Sequence, residues 1–199
     1  MKKLILALIV FAPLSIFAQD FKAEIEKHRS AYKAEFLKNS SSPLKEEDFE
    51  YLRFYEPNEK FKVMCEFVAT KRGKPFEVPT SSGQTATYTK FGELRFEMDG
   101  KSYKLAVYQS LRLRNLPQYR DYLFIPFKDL TNGKESYGGG RYLDLRMKEI
   151  LGDKIYLDFN KAYNPYCAFS AGYSCPIPPK ENHLKVAIEA GEKNFAKEH

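Results

Sequence analysis

The chain has 199 residues and a formal net charge of +6, which falls to +4 when Lys2 and Lys3 are removed with the leader described next. That excess is mild and spread along the sequence, with KRGK at 71–74 as its densest cluster. It supplies neither the basic face nor the recognised module of a nucleic-acid binder, so nucleic acid is not an expected partner and KRGK reads as a solvated turn.

MKKLILALIVFAPLSIFAQD opens with two lysines, runs apolar from Leu4 to Phe17 and reaches small Ala18. This is the pattern of a secretory signal peptide over residues 1–18, cleaved after Ala18. No later stretch approaches the roughly 18 apolar residues of a membrane helix, so no membrane span is expected. The expected product is exported, periplasmic or extracellular, and without a Cys at the cleavage site a lipid anchor is not expected. About 180 residues remain, enough for one domain with a substantial core or two small ones; no linker or repeat divides them, so residues 19–199 read as a single domain.

Phe21, Ile25, His28, Tyr32 and Phe36 recur at helical spacing and predict an N-terminal helix with these five on one stripe. His28 on that stripe reads as a satisfied boundary residue rather than a ligand. Ser42 followed by Pro43 resembles an N-cap with proline at the first helical position, predicting a short second helix through Phe49. The period then changes to two. In FKVMCEFVA, Phe61, Val63, Cys65 and Phe67 share one side of a half-buried strand, and Cys65 is a small core hydrophobe. In GELRFEMDGKSYKLAVY, Asp99-Gly100 forms a two-residue primed turn, pairing Met98 with Lys101, Phe96 with Tyr103 and Leu94 with Leu105. Further strands are predicted at about 122–127, 140–147 and 154–159, and a helix after Pro179. The fold class is α+β: antiparallel strands in a curved sheet or small barrel, with helices at the two ends.

Cys167 and Cys175, in a turn-rich segment of an exported chain, read as a disulfide closing a small loop, with stabilisation on the order of 2–3 kcal/mol in the chain-entropy model. A zinc site would need a fourth ligand beside Cys167, Cys175 and His183, and no metal or other cofactor is expected. A catalytic cysteine would need a positioned base, for which His183 is the only local histidine.

Arg141 is in phase with Leu143, Leu145 and Met147 rather than with Tyr142 and Asp144, so its guanidinium enters the core side and requires an anion. Asp129, Glu135 or Glu181 could serve, as could a ligand carboxylate or phosphate. In IYLDFN, Asp158 and Asn160 project opposite Ile155, Leu157 and Phe159. They meet either solvent or Tyr163 and Asn164 of the 161–179 segment. The triple glycine 138–140 lacks the Lys-Ser/Thr and following helix of a phosphate loop, and reads as a turn or bulge.

VPTSSG at 78–83, FKDLTNGKESYGGGRYLDL at 127–145, LDFNKAYNPYCAFSAGYSCPIPP at 157–179 and ENHLKVAIEAGEK at 181–193, with SPLKEEDF at 42–49, together resemble domain-of-unknown-function family 1684. The resemblance implies a compact bacterial, often exported, single domain of unassigned role. His183 departs from that family's pattern, which has another basic residue there, and this weakens a metal role further.

Three functions follow. The first is a binding domain for a small polar or anionic molecule, held by Arg141, Asp158, Asn160, Tyr163, Asn164, Glu181 and Asn182 in a recess covered by the disulfide-closed segment. The second is a hydrolase using Asp129, Glu135, Asp158 or Glu181 as acid and base. The third is an envelope interaction module with an exposed aromatic face.

Overall fold

The computed structural model describes residues 14–71 and 73–197. Most of the expected leader, residues 1–13, lies outside them, as does Arg72 of the KRGK turn. No helix of the described residues is long and apolar enough to cross a membrane.

One α-helix, α1 (Leu14–Lys38), precedes seven strands: β1 (Lys62–Ala69), β2 (Pro75–Pro79), β3 (Thr85–Met98), β4 (Lys101–Ser110), β5 (Tyr122–Phe127), β6 (Arg141–Arg146) and β7 (Lys154–Asp158). All pair antiparallel in one curled half-barrel sheet, in the order β6-β5-β4-β3-β1-β7 with β2 added beside β3. The β3–β4 register is the expected one, Met98 opposite Lys101 and Leu94 opposite Leu105, closed by Asp99 and Gly100 at φ 51° and 70°. β3 pairs with β2 through Thr85–Thr89 and with β1 through Gly92–Phe96. The change of neighbour coincides with an irregularity between Lys90 and Gly92. There the Phe67 ring packs so closely that a Cβ on Gly92 would lie 2.4 Å from it.

The concave face holds the main core: Val63, Cys65, Leu94, Phe96, Leu105, Leu123, Ile125, Leu143, Leu157 and their neighbours. Burial pushes the Cys65 thiol up to about 12, which suits its reading as a core hydrophobe. The alternate residues of the same strands form a second apolar layer on the convex face, Val78, Tyr88, Ala106, Tyr108, Phe124 and Tyr142. This explains why β5, YLFIPF, is apolar throughout instead of alternating.

Three helical expectations are modified. The buried stripe of α1 runs through Ile25, Arg29 and Phe36, whereas His28 is exposed. Arg29 enters the stripe because its stem can be buried while its guanidinium donates to the Tyr55 carbonyl (2.5 Å) and lies 4.6 Å from the centre of the Phe54 ring. The second helix is a six-residue 3₁₀ segment, Glu46–Tyr51. Its entrance is capped by Asp48, which accepts from the Lys45 N–H (2.9 Å), while the Ser42 hydroxyl serves a local turn with Leu44. The helical segment after Pro179 is one 3₁₀ turn, Lys180–Asn182, because Asn182 is drawn into the sheet.

Candidate functional site

Arg141 does not face a ligand recess. Its side chain is 0% exposed and forms a 2.8 Å ion pair with Asp129, itself 0% exposed. The guanidinium also donates to the carbonyls of Ala190, Ile188 and Glu192. Asp129 is occupied in turn: Oδ1 accepts from the N–H groups of Thr131 (2.8 Å) and Ile188 (3.2 Å), and Oδ2 takes Arg141. The phase argument for Arg141 holds, and its partner is internal.

The remaining expected site residues are dispersed. Asp158 accepts from Asn160, and Asn160 pairs with both backbone groups of Asn58 (2.9 Å each), so this face is tied to the chain before β1 rather than to Tyr163 and Asn164. Asn164 donates through its backbone to Glu192 (2.8 Å) and through its amide to the Lys193 carbonyl. Asn182 takes the place of a missing rung. β4 and β5 are in register only at Tyr108 opposite Phe124. Beyond that point the Asn182 amide accepts from Ala106 N–H (2.7 Å) and donates to the carbonyls of Ala106 and Pro126. Glu181 accepts from Tyr108 and Lys90 on the outside of the sheet, and Glu135 lies 3.8 Å from Lys193. Asp129, Glu135, Asp158 and Glu181 thus each answer a different structural partner and do not form an acid and base pair. The glycine run acts as a turn: Gly140 has φ 98°, and a Cβ there would lie 2.7 Å from the Phe127 carbonyl oxygen.

Tyr163 leads to a different place. Its hydroxyl and that of Tyr122 both donate to Oδ1 of Asp144, at 2.8 and 2.7 Å. Asp144 follows Tyr142 on the convex face of β6, opposite in phase to Arg141. The segment after Tyr163 folds back over this face. It is closed by the Cys167–Cys175 disulfide, whose Cα atoms are 6.3 Å apart. It is clamped to the β2–β3 turn by Ser81 N–H to the Cys175 carbonyl (2.9 Å), Ile177 N–H to the Pro79 carbonyl (2.8 Å) and the Ser81 hydroxyl, which accepts from Cys175 N–H. On the other side Tyr173 donates to the Ser41 carbonyl (2.7 Å), and Ala168 and Phe169 pack against Phe36 of α1. The cover expected from the cysteines is therefore present, over the face opposite to Arg141.

Between cover and sheet lies a cleft of about 270 Å³. Tyr88, Phe124 and Tyr142 floor it, and Tyr122, Tyr163, Tyr166, Tyr173, Leu113 and Pro176 wall it. The rings brace one another: Tyr88 stacks on Phe124 at 5.8 Å, and Tyr142 meets Phe124 and Tyr163 edge-on at 4.7 and 5.8 Å. Past Tyr88 and Leu113 it adjoins a second cavity of about 470 Å³, lined by Thr80, Thr85, Thr87, Ser110, Ser174 and Arg112. Solvent reaches Asp144, but the surrounding protein partly desolvates it. That influence, the largest, holds its carboxyl above the usual aspartate value, against the hydrogen bonds from Tyr122 and Tyr163 and the nearby Arg146. Burial raises the phenols of Tyr122, Tyr142 and Tyr163 as well, so they remain donors across the ordinary pH range.

A larger groove of about 720 Å³ runs along Arg95, Glu97, Lys104, Glu181 and Lys185 on the exposed side of β3 and β4. Its long charged side chains are partly paired with neighbours outside it, Arg95 and Lys104 both with Glu93. Among the described residues no group of three or more His, Cys, Asp or Glu side chains could hold a metal ion.

Sequence reasoning singled out Tyr163 of this cleft and missed Tyr122 and Tyr142, together with Asp144, which accepts from the Tyr122 and Tyr163 hydroxyls. A signal was available: the phase that turns Arg141 inward turns Tyr142 and Asp144 outward, leaving a tyrosine and an acid together on the other side of the strand.

A family model described as a protein of unknown function (DUF1684) matches residues 47–193. Among solved structures, the solution NMR structure of an uncharacterized protein of Haloarcula marismortui is similar, at 31% sequence identity and TM-score 0.68, covering 89% of this chain and 96% of that one. A search of curated proteins finds no match.

Proposed function

The chain belongs to the DUF1684 family of proteins of unknown function, and from that premise we propose that it is an exported domain that binds a small polar molecule in the tyrosine-walled cleft. One observation carries the reading. A concave, ring-lined space of about 270 Å³ is held open beneath a covalently closed, doubly anchored segment, next to a hydroxyl-lined extension. Aromatic faces with a few fixed polar groups are the usual makeup of a small-molecule site. An ordinary second core would have been filled. Export is supported by the Lys2-Lys3 leader pattern and by the disulfide, which persists in oxidising compartments.

Thermal-shift and NMR titrations of residues 19–199 against sugars, carboxylates, phosphates and amines test the reading. Leu113 stands on an exposed connection and lines both cavities, so Leu113→Trp should obstruct them without disturbing the fold. Binding that disappears in this variant at unchanged melting temperature is the expected result. Ligands that bind both forms equally would place recognition elsewhere.

An interaction module has one supporting feature. Met64 and Tyr156 are cross-strand neighbours on β1 and edge strand β7, 45% and 57% exposed. If partner capture depended on these two and not on Leu113, this second reading would replace the first.

A further inference from the structure

The geometry points to the class of ligand: a molecule with an apolar, ring-sized body among the rings of the cleft and an anionic head, a carboxylate or phosphate, in the adjoining cavity against Arg112 and the Tyr88 hydroxyl. This inference rests on the cleft being a binding site and adds what the two cavities select.

The two cavities offer different chemistry. In the cleft the polar ends of the tyrosines are committed elsewhere: Tyr122 and Tyr163 donate to Asp144, Tyr142 to the Pro176 carbonyl and Tyr173 to the Ser41 carbonyl. What these side chains offer a ligand is ring surface, which takes another ring by stacked or edge-on contact. An apolar cavity of about 150 Å³ already accepts benzene. The cleft, at about 270 Å³, therefore holds a ring with part of a chain.

The adjoining cavity is reached past Tyr88, Leu113, Ser174 and Pro176, which line both. There it is donors that lack acceptors. Tyr88 is buried, and its hydroxyl makes no hydrogen bond among the described residues. Ser110 accepts from the Leu113 N–H (3.3 Å) and has no acceptor for its own proton. Exposed Arg112 has neither an ion pair nor a side-chain hydrogen bond among the described residues. Other hydroxyls of the lining are answered: Ser174 donates to Thr80 and Thr87 to Glu77, both at 2.8 Å. Glu77 itself lines neither cavity; among the described residues the two linings contain no acid, and Arg112 is their single charged member. Burial pushes the Tyr88 phenol up to about 12, and the positive field of Arg112 is the opposing influence, so the two groups stand close to each other. An anion accepts from these donors together and gives the guanidinium its counterion. A cation would meet Arg112 as like charge, and a neutral head would leave it to water.

NMR titration with phenylbutyrate, phenylbutanol, phenylbutylammonium and butyrate separates head from body. Phenylbutyrate should bind tighter than phenylbutanol by about tenfold, the effect of one charge-assisted hydrogen bond. Phenylbutylammonium should bind more weakly than the alcohol, and butyrate should leave the Tyr122 and Tyr166 ring resonances unmoved. Arg112→Gln, on an exposed connection, should bring phenylbutyrate down to the level of phenylbutanol at unchanged melting temperature. Tyr88→Phe keeps the ring that stacks on Phe124 and should weaken phenylbutyrate more than phenylbutanol. Phenylbutanol or phenylbutylammonium binding as tightly as phenylbutyrate, or an unaffected Arg112→Gln variant, would overturn the anionic head. Butyrate binding as tightly as phenylbutyrate would overturn the apolar body. Failure of all these compounds, while a sugar or amine still binds and is lost in Leu113→Trp, would overturn the ligand class and leave the cleft a binding site. Failure of every compound in the native protein would remove the site itself.

Discussion

Arg141 and Asp144 stand three residues apart on β6 and have opposite fates. Arg141 points into the concave core and is enclosed by Asp129 and three carbonyls. Asp144 points to the convex face, is exposed, and takes the hydroxyls of Tyr122 and Tyr163, two residues that wall the ring-lined cleft. The difference teaches which charged residue to regard as functional. A buried charge must bring its partners with it or the chain does not fold, so completeness of partners marks a structural role. A charge on an exposed face can be left incomplete, because water attends it. By this measure β6 has a structural face and a candidate binding face, one residue out of phase with each other.

The largest effect should come from breaking the structural face. Asp129→Ala leaves Arg141 buried beside carbonyls with no anion, and should destabilise the protein by about 3–5 kcal/mol in urea unfolding. Asp144→Ala should change stability by less than about 1 kcal/mol, as expected for an exposed group. Comparable costs for the two would erase the distinction between the faces.

Next in size is a pH dependence from the same core. Glu192 is fully buried, accepts from Tyr32 (2.9 Å) and from Asn164 N–H (2.8 Å), and has no partner at Oε1. Burial, the dominant influence, pushes its carboxyl up to about 8 from an ordinary 4.5. Between those values the folded state holds a proton that the unfolded state has released, so stability is highest below about pH 4.5 on this account and declines as pH rises towards 8. Glu192→Gln should remove that decline, leaving a variant a few kcal/mol less pH-sensitive across the window in denaturant titrations. A native protein whose stability is flat from pH 5 to 8 would show Glu192 to be charged and compensated instead.

The cover over the binding face can be loosened without touching either charge. Cys167→Ser with Cys175→Ser should lower stability by on the order of 2–3 kcal/mol from loop closure. It should also increase hydrogen exchange across residues 166–176 while Ile125 and Leu143 stay protected. Uniform loss of protection would mean that the segment is part of the folding core and not a cover laid upon it.

How much of this could be read in advance depends on the range of the interactions. The β3–β4 hairpin was legible because Asp99-Gly100 dictates its own register within a few residues. The inward turn of Arg141 was legible for a similar reason, since strand phase is local. Its partner was not: Asp129, Glu135 and Glu181 are chemically equivalent in sequence, and only folding places Asp129 at 2.8 Å. The α1 stripe slipped by one position because an arginine can bury its stem where a pattern reader expects the less polar His28. Asn182, expected to bind a ligand, bonds β4 and β5 where they part, a role no local pattern announces. The cleft needed the longest reach of all, since it exists only when residues 163–176 return to the outside of β5 and β6. Even so, both members of the clamp, VPTSSG and the cysteine segment, carried the family resemblance.

The smallest expected effect tests the candidate binding face most directly. Tyr122→Phe removes one of the two phenol donors to Oδ1 of Asp144 and keeps the ring that walls the cleft. The net loss in stability should be about 1 kcal/mol or less, since the bond is partly exposed and Tyr163 still donates. The carboxyl titration should nevertheless move. Desolvation already holds Asp144 above the ordinary value, and the phenols oppose that shift by stabilising the anion. Taking one away must therefore raise the Asp144 titration midpoint further, visible in the carboxyl carbon resonance followed against pH. A midpoint that falls or stays put would mean that Arg146 or water, and not the tyrosines, sets the carboxylate's charge. The two faces of β6 would then differ in exposure alone and not in how their charges are held.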